Sequence, residues 1–257
     1  MENHTEMALS AKQELLLEKG WMNHAGTLGF SPPAQYWQEK PPLAYVTPLV
    51  SYKPRPLPAD RAVFRFSGGF LLHNNDFNPG FRAVIKEFAS RWQRLHMPVW
   101  VHLLLEEINS AERMLSHLEM CDGVTAVEIS LPYEWEGEEK IALLRSLHCE
   151  LPVILHVPLN EVMAEWVKDA AGLGFSAVTI GAPRGALEIQ RGNVLSGRIF
   201  GPALFPLTLQ ALLHLQIIGI PLIAGSGLYS RRDAGIALTH GAAAIQLDAI
   251  LWHGGIF

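Results

Sequence analysis

Ile220-Pro221-Leu222-Ile223-Ala224-Gly225-Ser226-Gly227, then a helix start at Ser230 and Asp233, then Gly241-Ala242-Ala243-Ala244-Ile245-Gln246-Leu247, is the stretch that decides the fold. Both apolar runs are short and near-continuous rather than alternating, as expected of strands covered on both faces. A glycine-bounded turn leads from the first run into a helix start with Ser at the cap, which completes a strand–helix–strand unit. The same unit recurs toward the N-terminus. Apolar, β-branched runs lie at Leu43–Thr47, Pro98–Leu103, Val124–Ser130, Pro152–Val157, Ala177–Gly181, Pro221–Ala224 and Ala243–Leu247, with a weaker first strand at Met22–Gly26.

Helical periods separate these runs. Asn109 and Glu112 stand at capping-box spacing, and Ala111, Met114, Leu115 and Leu118 make one apolar stripe. Asn160 opens a further helix with Met163, Trp166, Val167 and Ala170 on its inner face, and Asn78-Pro79 opens one with Pro at its first position. Eight strands alternating with helices predict an α/β protein, a closed (β/α)8 TIM barrel, as one domain over residues 1–257 with an amphipathic extension at residues 1–20. The 257 residues match the length of about 250 such a barrel takes. No Gly-x-Gly-x-x-Gly follows the first strand, which argues against a dinucleotide-binding sheet. Lys53-Pro54-Arg55-Pro56-Leu57-Pro58 reads as an insertion loop.

Composition narrows the class. With 49% apolar and 18% charged residues, the chain can bury a large core, and a net charge of −5 gives no basic face for nucleic acid or an anionic membrane. No apolar run reaches the roughly 18 residues of a membrane span. Met1 to Glu6 has no basic region ahead of an apolar run, and two cysteines make no disulfide framework, so a cytoplasmic setting is expected. Cys121 and Cys149 precede strands, at the barrel bottom, and read as small buried hydrophobes. Only about ten residues, Asp248 to Phe257, follow the last strand, which shortens the C-terminal helix. Either the stretch carrying Met7, Leu9, Leu15, Leu16 and Leu17 covers that flank or a second chain does, and a homo-oligomer or protein partner is expected.

Barrels carry their chemistry at the C-terminal ends of the strands and hold phosphate after strands seven and eight. Gly225-Ser226-Gly227 stands at that place, where free backbone N–H groups suit an anion and where a plain tight turn is the alternative.

The order of segments resembles the dihydroorotate dehydrogenases, FMN-dependent barrels of pyrimidine synthesis. Asn23-His24-Ala25-Gly26-Thr27-Leu28-Gly29-Phe30 is similar to their opening strand and loop, and Asn78-Pro79-Gly80, Ser130 and Pro132 fall in the expected places. Gly197 followed by Phe200-Gly201-Pro202-Ala203-Leu204-Phe205-Pro206 is similar to their Gly-Gly-Leu-Ser-Gly-Pro-Ala-Ile-Lys-Pro segment. The resemblance covers roughly residues 21 to 250. It implies FMN as cofactor, with Ala25, Gly26, Gly197, Gly225, Ser226 and Gly227 as its binding residues.

The same resemblance puts the family's base on Leu131, its second-strand Lys on Pro48 and its fifth-strand Lys on His156. The asparagines that hold the orotate ring fall on Leu72, Glu128, Tyr133 and Ala182, and the Gly-Thr that holds FMN phosphate falls on Asp248-Ala249. Leucine accepts no proton, so dihydroorotate oxidation is not expected. A carboxylate in a phosphate site opposes FMN, unless Arg231 or Arg232 intervenes or Asp248 takes the anion position itself. The expectation is a catalytically silent partner or small-ligand-binding protein, with an FMN oxidoreductase acting on another substrate as the alternative.

His102, Glu128 and His156 fall near the ends of strands three, four and five and are the candidate catalytic residues. Two imidazoles and a carboxylate suit an acid–base set, a facial metal site or a hydrogen-bonded plug; no H-x-H pair stands on strand one. His24 and His73 are placed at the same mouth. Glu134, Glu136, Glu138 and Glu139 make an acidic loop, Tyr133 and Trp135 can close the mouth, and Arg184 can reach an anion there.

Overall fold

The structure, a computed structural model, describes residue 15 and residues 17–32, 41–74 and 76–253. Its main sheet is parallel throughout, in the order β1 (Trp21–Asn23), β13 (Ala242–Leu247), β12 (Leu222–Ala224), β9 (Ala177–Gly181), β8 (Val153–Pro158), β7 (Val124–Ser130), β6 (Val99–Leu104) and β2 (Tyr45–Val46), with β3 (Val50–Ser51) also on β6. These are the eight expected strands of a (β/α)8 barrel. The seam between β1 and β2 closes through a side chain. Asn23 Nδ2 donates to the Val46 carbonyl at 2.6 Å while its Oδ1 accepts the Val46 N–H at 2.9 Å, and the Leu43 N–H reaches the Trp21 carbonyl at 2.8 Å.

Among the described residues six α-helices cover the outside: α1 (Phe81–Trp92), α2 (Ile108–Glu119), α3 (Gly137–Ser146), α4 (Glu165–Ala171), α5 (Phe205–Leu215) and α6 (Arg231–Thr239). The Ala111, Met114, Leu115 and Leu118 stripe of α2 is buried as expected, and Ser230 caps α6 by accepting the Asp233 N–H at 3.1 Å. Other helix starts differ from their sequence signals. Asn109 lies inside α2, whose cap is Glu107 with no side-chain bond. Asn160 instead accepts the Arg184 N–H, α4 begins at Glu165, and Met163 is exposed. Asn78 is buried, bonded to Ser51 and the Gly80 N–H, and α1 begins only after Gly80.

The unexpected element is a four-stranded antiparallel sheet, β10 (Arg184–Gln190), β11 (Asn193–Phe200), β5 (Gly69–His73) and β4 (Ala62–Phe66). Two hairpins from distant parts of the chain build it over the barrel mouth, so Lys53–Pro58 leads into a strand rather than forming an isolated loop. Its outer strands, β4 and β10, alternate exposed with half-buried residues, a one-sided pattern unlike the continuous runs of the barrel. The hairpins approach closely enough that a side chain on Gly69 would meet the Phe200 carbonyl at 2.0 Å.

Inside the barrel, strand alternation stacks two layers of opposite character. The floor is apolar: Met22, Val46, Trp100, Ala126, Ile154, Ala177, Ile223 and Ala244 form one cluster. Leu15 and Leu17 pack against it, so this part of the extension lines the floor rather than the flank after the last strand; Met7, Leu9 and Leu16 lie outside the described residues. After β13 the described chain makes only a short 3-10 turn, Ala249–His253.

Removing the seam tests its closure. Asn23→Ala strands a buried N–H and a buried carbonyl, at about 1–3 kcal/mol each. The variant should melt roughly 5–10 °C below wild type by circular dichroism, and an unchanged melting temperature would mean that the seam is held elsewhere.

Candidate functional site

Two residues up each strand from the floor, the side chains become polar. His102 on β6 and Glu128 on β7 are register partners, and so are His156 on β8 and Thr179 on β9. Glu128 is fully buried, and its Oε1 accepts from Thr179 Oγ1 and from Gln246 Nε2, both at 2.7 Å. His102 Nδ1 lies 3.2 Å from Glu128 Oε2, within ion-pair distance but short of hydrogen-bond alignment. On its other side, His102 Nε2 is 2.7 Å from Ser130 Oγ, which is 3.1 Å from His156 Nδ1. The His156 ring fits because position 181 is glycine: a Cβ there would stand 1.9 Å from His156 Nε2. His24 meets His156 edge-on, with ring centroids 5.9 Å apart.

Desolvation governs the charges of this layer. Burial lifts the Glu128 carboxyl to about 7, against the hydrogen bonds of Thr179 and Gln246 that favour the anion. Burial first, then the nearby Arg198, lowers His24 to about 4. His102 and His156 are held well below the ordinary imidazole value, again by burial first and then by neighbouring histidines and Arg198. All three imidazoles are neutral at pH 7. Among the described residues no three His, Cys, Asp or Glu side chains converge as a ligand set; the layer is a hydrogen-bonded chain.

Above it, Asp76 pairs with Arg184 and Arg198. Burial opposes its ionisation, but Arg198, Arg184 and Arg55 outweigh that and hold its pKa low. Arg184 also lies over the Tyr133 ring at 5.6 Å. Asp76 and Arg198 separate two small cavities. One of about 150 Å³ is lined by Ala25, Gly26, Pro48, Leu72, Phe200 and Trp252 among others, and one of about 50 Å³ by Ser130, Leu131, His156 and Ala182 among others. His73 is not at the mouth; it sits in the cap sheet between the Ser196 carbonyl and Asp60. Gly197 also lies in the cap sheet, opposite Gly185 and against the Leu72 carbonyl. Trp135 packs against the core, and Glu136 and Glu139 form a capping box at the start of α3.

The third part of the site is the turn after β12. The Gly225 N–H is taken by the Ile180 carbonyl at 2.9 Å, and Ser226 is buried. Gly227 has φ 75° and no room for a side chain, because a Cβ would meet the Phe205 N at 2.3 Å. Facing this turn is Asp248, 1% exposed. The N–H groups of Gly227, Ala249 and Ile250 and the Tyr229 hydroxyl are directed at its carboxylate, none in full hydrogen-bond alignment, and burial still lifts its pKa to about 7. Arg231 and Arg232 are exposed on α6.

No family model matches the chain. Dihydroorotate dehydrogenase B (NAD(+)), catalytic subunit, of Desulforudis audaxviator is 25% identical over 254 residues, 91% of this chain and 83% of that protein. The protein of the same name from Endomicrobium trichonymphae is 23% identical over 223 residues, 79% of this chain and 72% of its own length. The chain is thus similar, over most of its length, to these two dihydroorotate dehydrogenase catalytic subunits.

His102, Glu128 and His156 do come together, as the sequence suggested. Ser130 entered the sequence reading only through the resemblance, with no sign that it joins the two imidazoles, and Asp76, which holds the two arginines, lies in a loop and carried no signal of its own. Cys121 and Cys149 are free, partly exposed thiols, both pushed up in pKa by burial, Cys149 to about 12. Among the described residues no helix is long and apolar enough to cross a membrane.

Asp248 has a pH signature. Between its ordinary value near 4 and its folded value of about 7, the folded chain keeps a proton that the unfolded chain releases, so Asp248 costs stability as pH rises through that window. The buried histidines act with the opposite sign, but equally in wild type and variant. Asp248→Asn should therefore gain melting temperature relative to wild type from pH 4 to pH 8, by roughly 5 °C or more. A difference independent of pH would mean that Asp248 titrates normally.

Proposed function

We propose that the chain is a diverged dihydroorotate dehydrogenase-like barrel that binds a small ligand at its mouth and neither holds FMN nor oxidises dihydroorotate. The observation that carries this reading is Asp248. Its carboxylate already faces the N–H groups of Gly227, Ala249 and Ile250, the donors a phosphate would need at the end of strands seven and eight. A phosphate about 4 Å from the ionised carboxylate would be opposed by about 4 kcal/mol at an effective dielectric near 20; with a pKa of about 7 the carboxyl is only part-ionised at neutral pH, so the larger obstacle is that its side chain stands where the phosphate would sit. It could enter only by protonating Asp248 and displacing it.

Space points the same way. Cofactor pockets usually run from about 300 Å³ upward, whereas the larger mouth cavity is about 150 Å³. The residues present do not fit FMN. Leu131, where the resemblance expects a base, lines the smaller cavity and can take no proton. What remains is an enclosed space walled by Phe200, Trp252, Asn74 and Arg198, suited to a compact, partly polar molecule. Exposed Leu207 and Leu213 on α5 and Ile217 just after it favour an added partner or second copy in solution.

The decisive measurement is absorbance at 450 nm after incubation with excess FMN and gel filtration, beside a dihydroorotate oxidation assay. No retained flavin and no oxidation are expected. Stoichiometric yellow protein would overturn the exclusion of FMN, and oxidation of dihydroorotate would overturn the reading entirely. Elution should shift toward larger species with rising concentration or added partner; a concentration-independent monomer throughout would remove the self-association.

A further inference from the structure

We propose that Ser130, His102 and Glu128 form a nucleophilic triad at the barrel mouth that accepts the acyl group of a small ester. A triad is recognised by geometry and roles rather than by chain order, and here the roles fall in line from solvent inward. Ser130 is half-buried and lines the cavity of about 50 Å³. Its Oγ stands 2.7 Å from His102 Nε2, and His102 Nδ1 stands 3.2 Å from Glu128 Oε2. An angled inner contact of this kind is common in unliganded sites and tightens when substrate binds.

The hydrogen-bond directions are mutually consistent. With both imidazoles neutral, His156 Nδ1–H donates to Ser130 Oγ, leaving the Ser130 hydroxyl to donate to His102 Nε2. His102 Nδ1–H then points at Glu128. The Glu128 oxygen turned away from His102 is fixed by Thr179 and Gln246, so the carboxyl plane is set before any substrate arrives. Arg184 and Arg198 line the same cavity and supply positive potential where an oxyanion would develop.

The reaction needs no cofactor. Ser130 Oγ bonds to the ester carbonyl carbon as its proton passes to His102 Nε2. The bond to the leaving alcohol breaks, and His102 returns the proton to that alcohol. Water then attacks the acyl-serine by the same route and releases the acid. The groups facing Glu128 are His102 from β6, Thr179 from β9 and Gln246 from β13, with Arg198 acting from the cap; none of them adds a second carboxylate. Below about pH 7 a protonated Glu128 can donate to His102 Nδ1, which reverses the imidazole and removes the acceptor Ser130 needs. Acylation therefore rises with pH through that region.

The test uses p-nitrophenyl acetate with the purified full chain at pH 6 and pH 8.5. Expected are a burst approaching one p-nitrophenolate per chain, faster at pH 8.5, and an acetyl group mapped by mass spectrometry to the peptide holding Ser130. Ser130→Ala should abolish both, and His102→Gln should slow acylation by about 10²–10⁴-fold, each with a native circular dichroism spectrum. Where His102→Gln does not fold, Glu128→Gln decides: it keeps acceptors for Thr179 and Gln246 and should acylate slowly with no extra rise between the two pH values. No adduct on Ser130 in folded wild type, a burst that survives Ser130→Ala, or an unchanged pH profile in Glu128→Gln would overturn the triad.

Discussion

A closed barrel has no water inside with which to solvate a charge, and this chain puts a carboxyl there. Glu128 at the middle of β7 is the constraint around which the upper half of the barrel is arranged. An unpaired buried carboxylate costs several kcal/mol, so its neighbours are fixed as donors: Thr179 from one side, Gln246 from across the barrel and His102 beside it. His102 in turn engages Ser130, and Ser130 engages His156, whose ring requires glycine at position 181. One buried acid thus accounts for the identities of side chains on β6, β7, β8, β9 and β13. The apolar floor below it carries the packing, and the cap sheet above it keeps solvent out.

Much of this frame was legible in sequence because strands covered on both faces leave a strong mark. Pro98–Leu103 and Pro152–Val157 are apolar whichever way each side chain points except at one position each, and Val124–Ser130 departs from that only at Thr125, Glu128 and Ser130. His102, Glu128 and His156 stand out for that reason. The cap sheet was not legible because one of its faces meets solvent. Ala62–Phe66 and Arg184–Gln190 alternate too weakly to separate from loop, and the two hairpins they belong to are joined only through β5 and β11, more than a hundred residues apart in the chain. Helix starts failed wherever a polar side chain had a better tertiary partner. Asn78 and Asn160 each bond a distant backbone or side-chain group, which outweighs a local cap.

The site was legible in its membership and not in its wiring. Sequence order set the histidines and Glu128 at one mouth, but hydrogen-bond chains depend on rotamers and on which face of a strand a hydroxyl occupies. Ser130, ending an apolar run, gave no hint that it stands between two imidazoles. Asp248 is the converse case. Its position relative to Gly225-Ser226-Gly227 already raised the prospect of a carboxylate in place of an anion, and the geometry supplies the mechanism: three backbone N–H groups and a tyrosine hydroxyl converge on it.

A barrel selected for stability alone would have no reason to keep such a layer. Replacing a buried polar set by apolar residues of similar volume is commonly neutral or stabilising, and the floor, with Trp100, Ile154 and Ile223, is already filled that way. The polar layer here carries two carboxyls lifted to about 7, at Glu128 and Asp248, and three imidazoles depressed below their ordinary value. Each group is held away from the ionisation state that water would favour, and each shift is a cost to folding at some pH. Their signs are opposed, so the carboxyls lose stability and the imidazoles gain it over much of the same acidic range. The costs fall at opposite ends of that range, the imidazoles' at low pH and the carboxyls' at high pH, and neither offsets the other. Perturbed groups gathered at one end of a barrel are the mark of chemistry or recognition rather than of scaffolding.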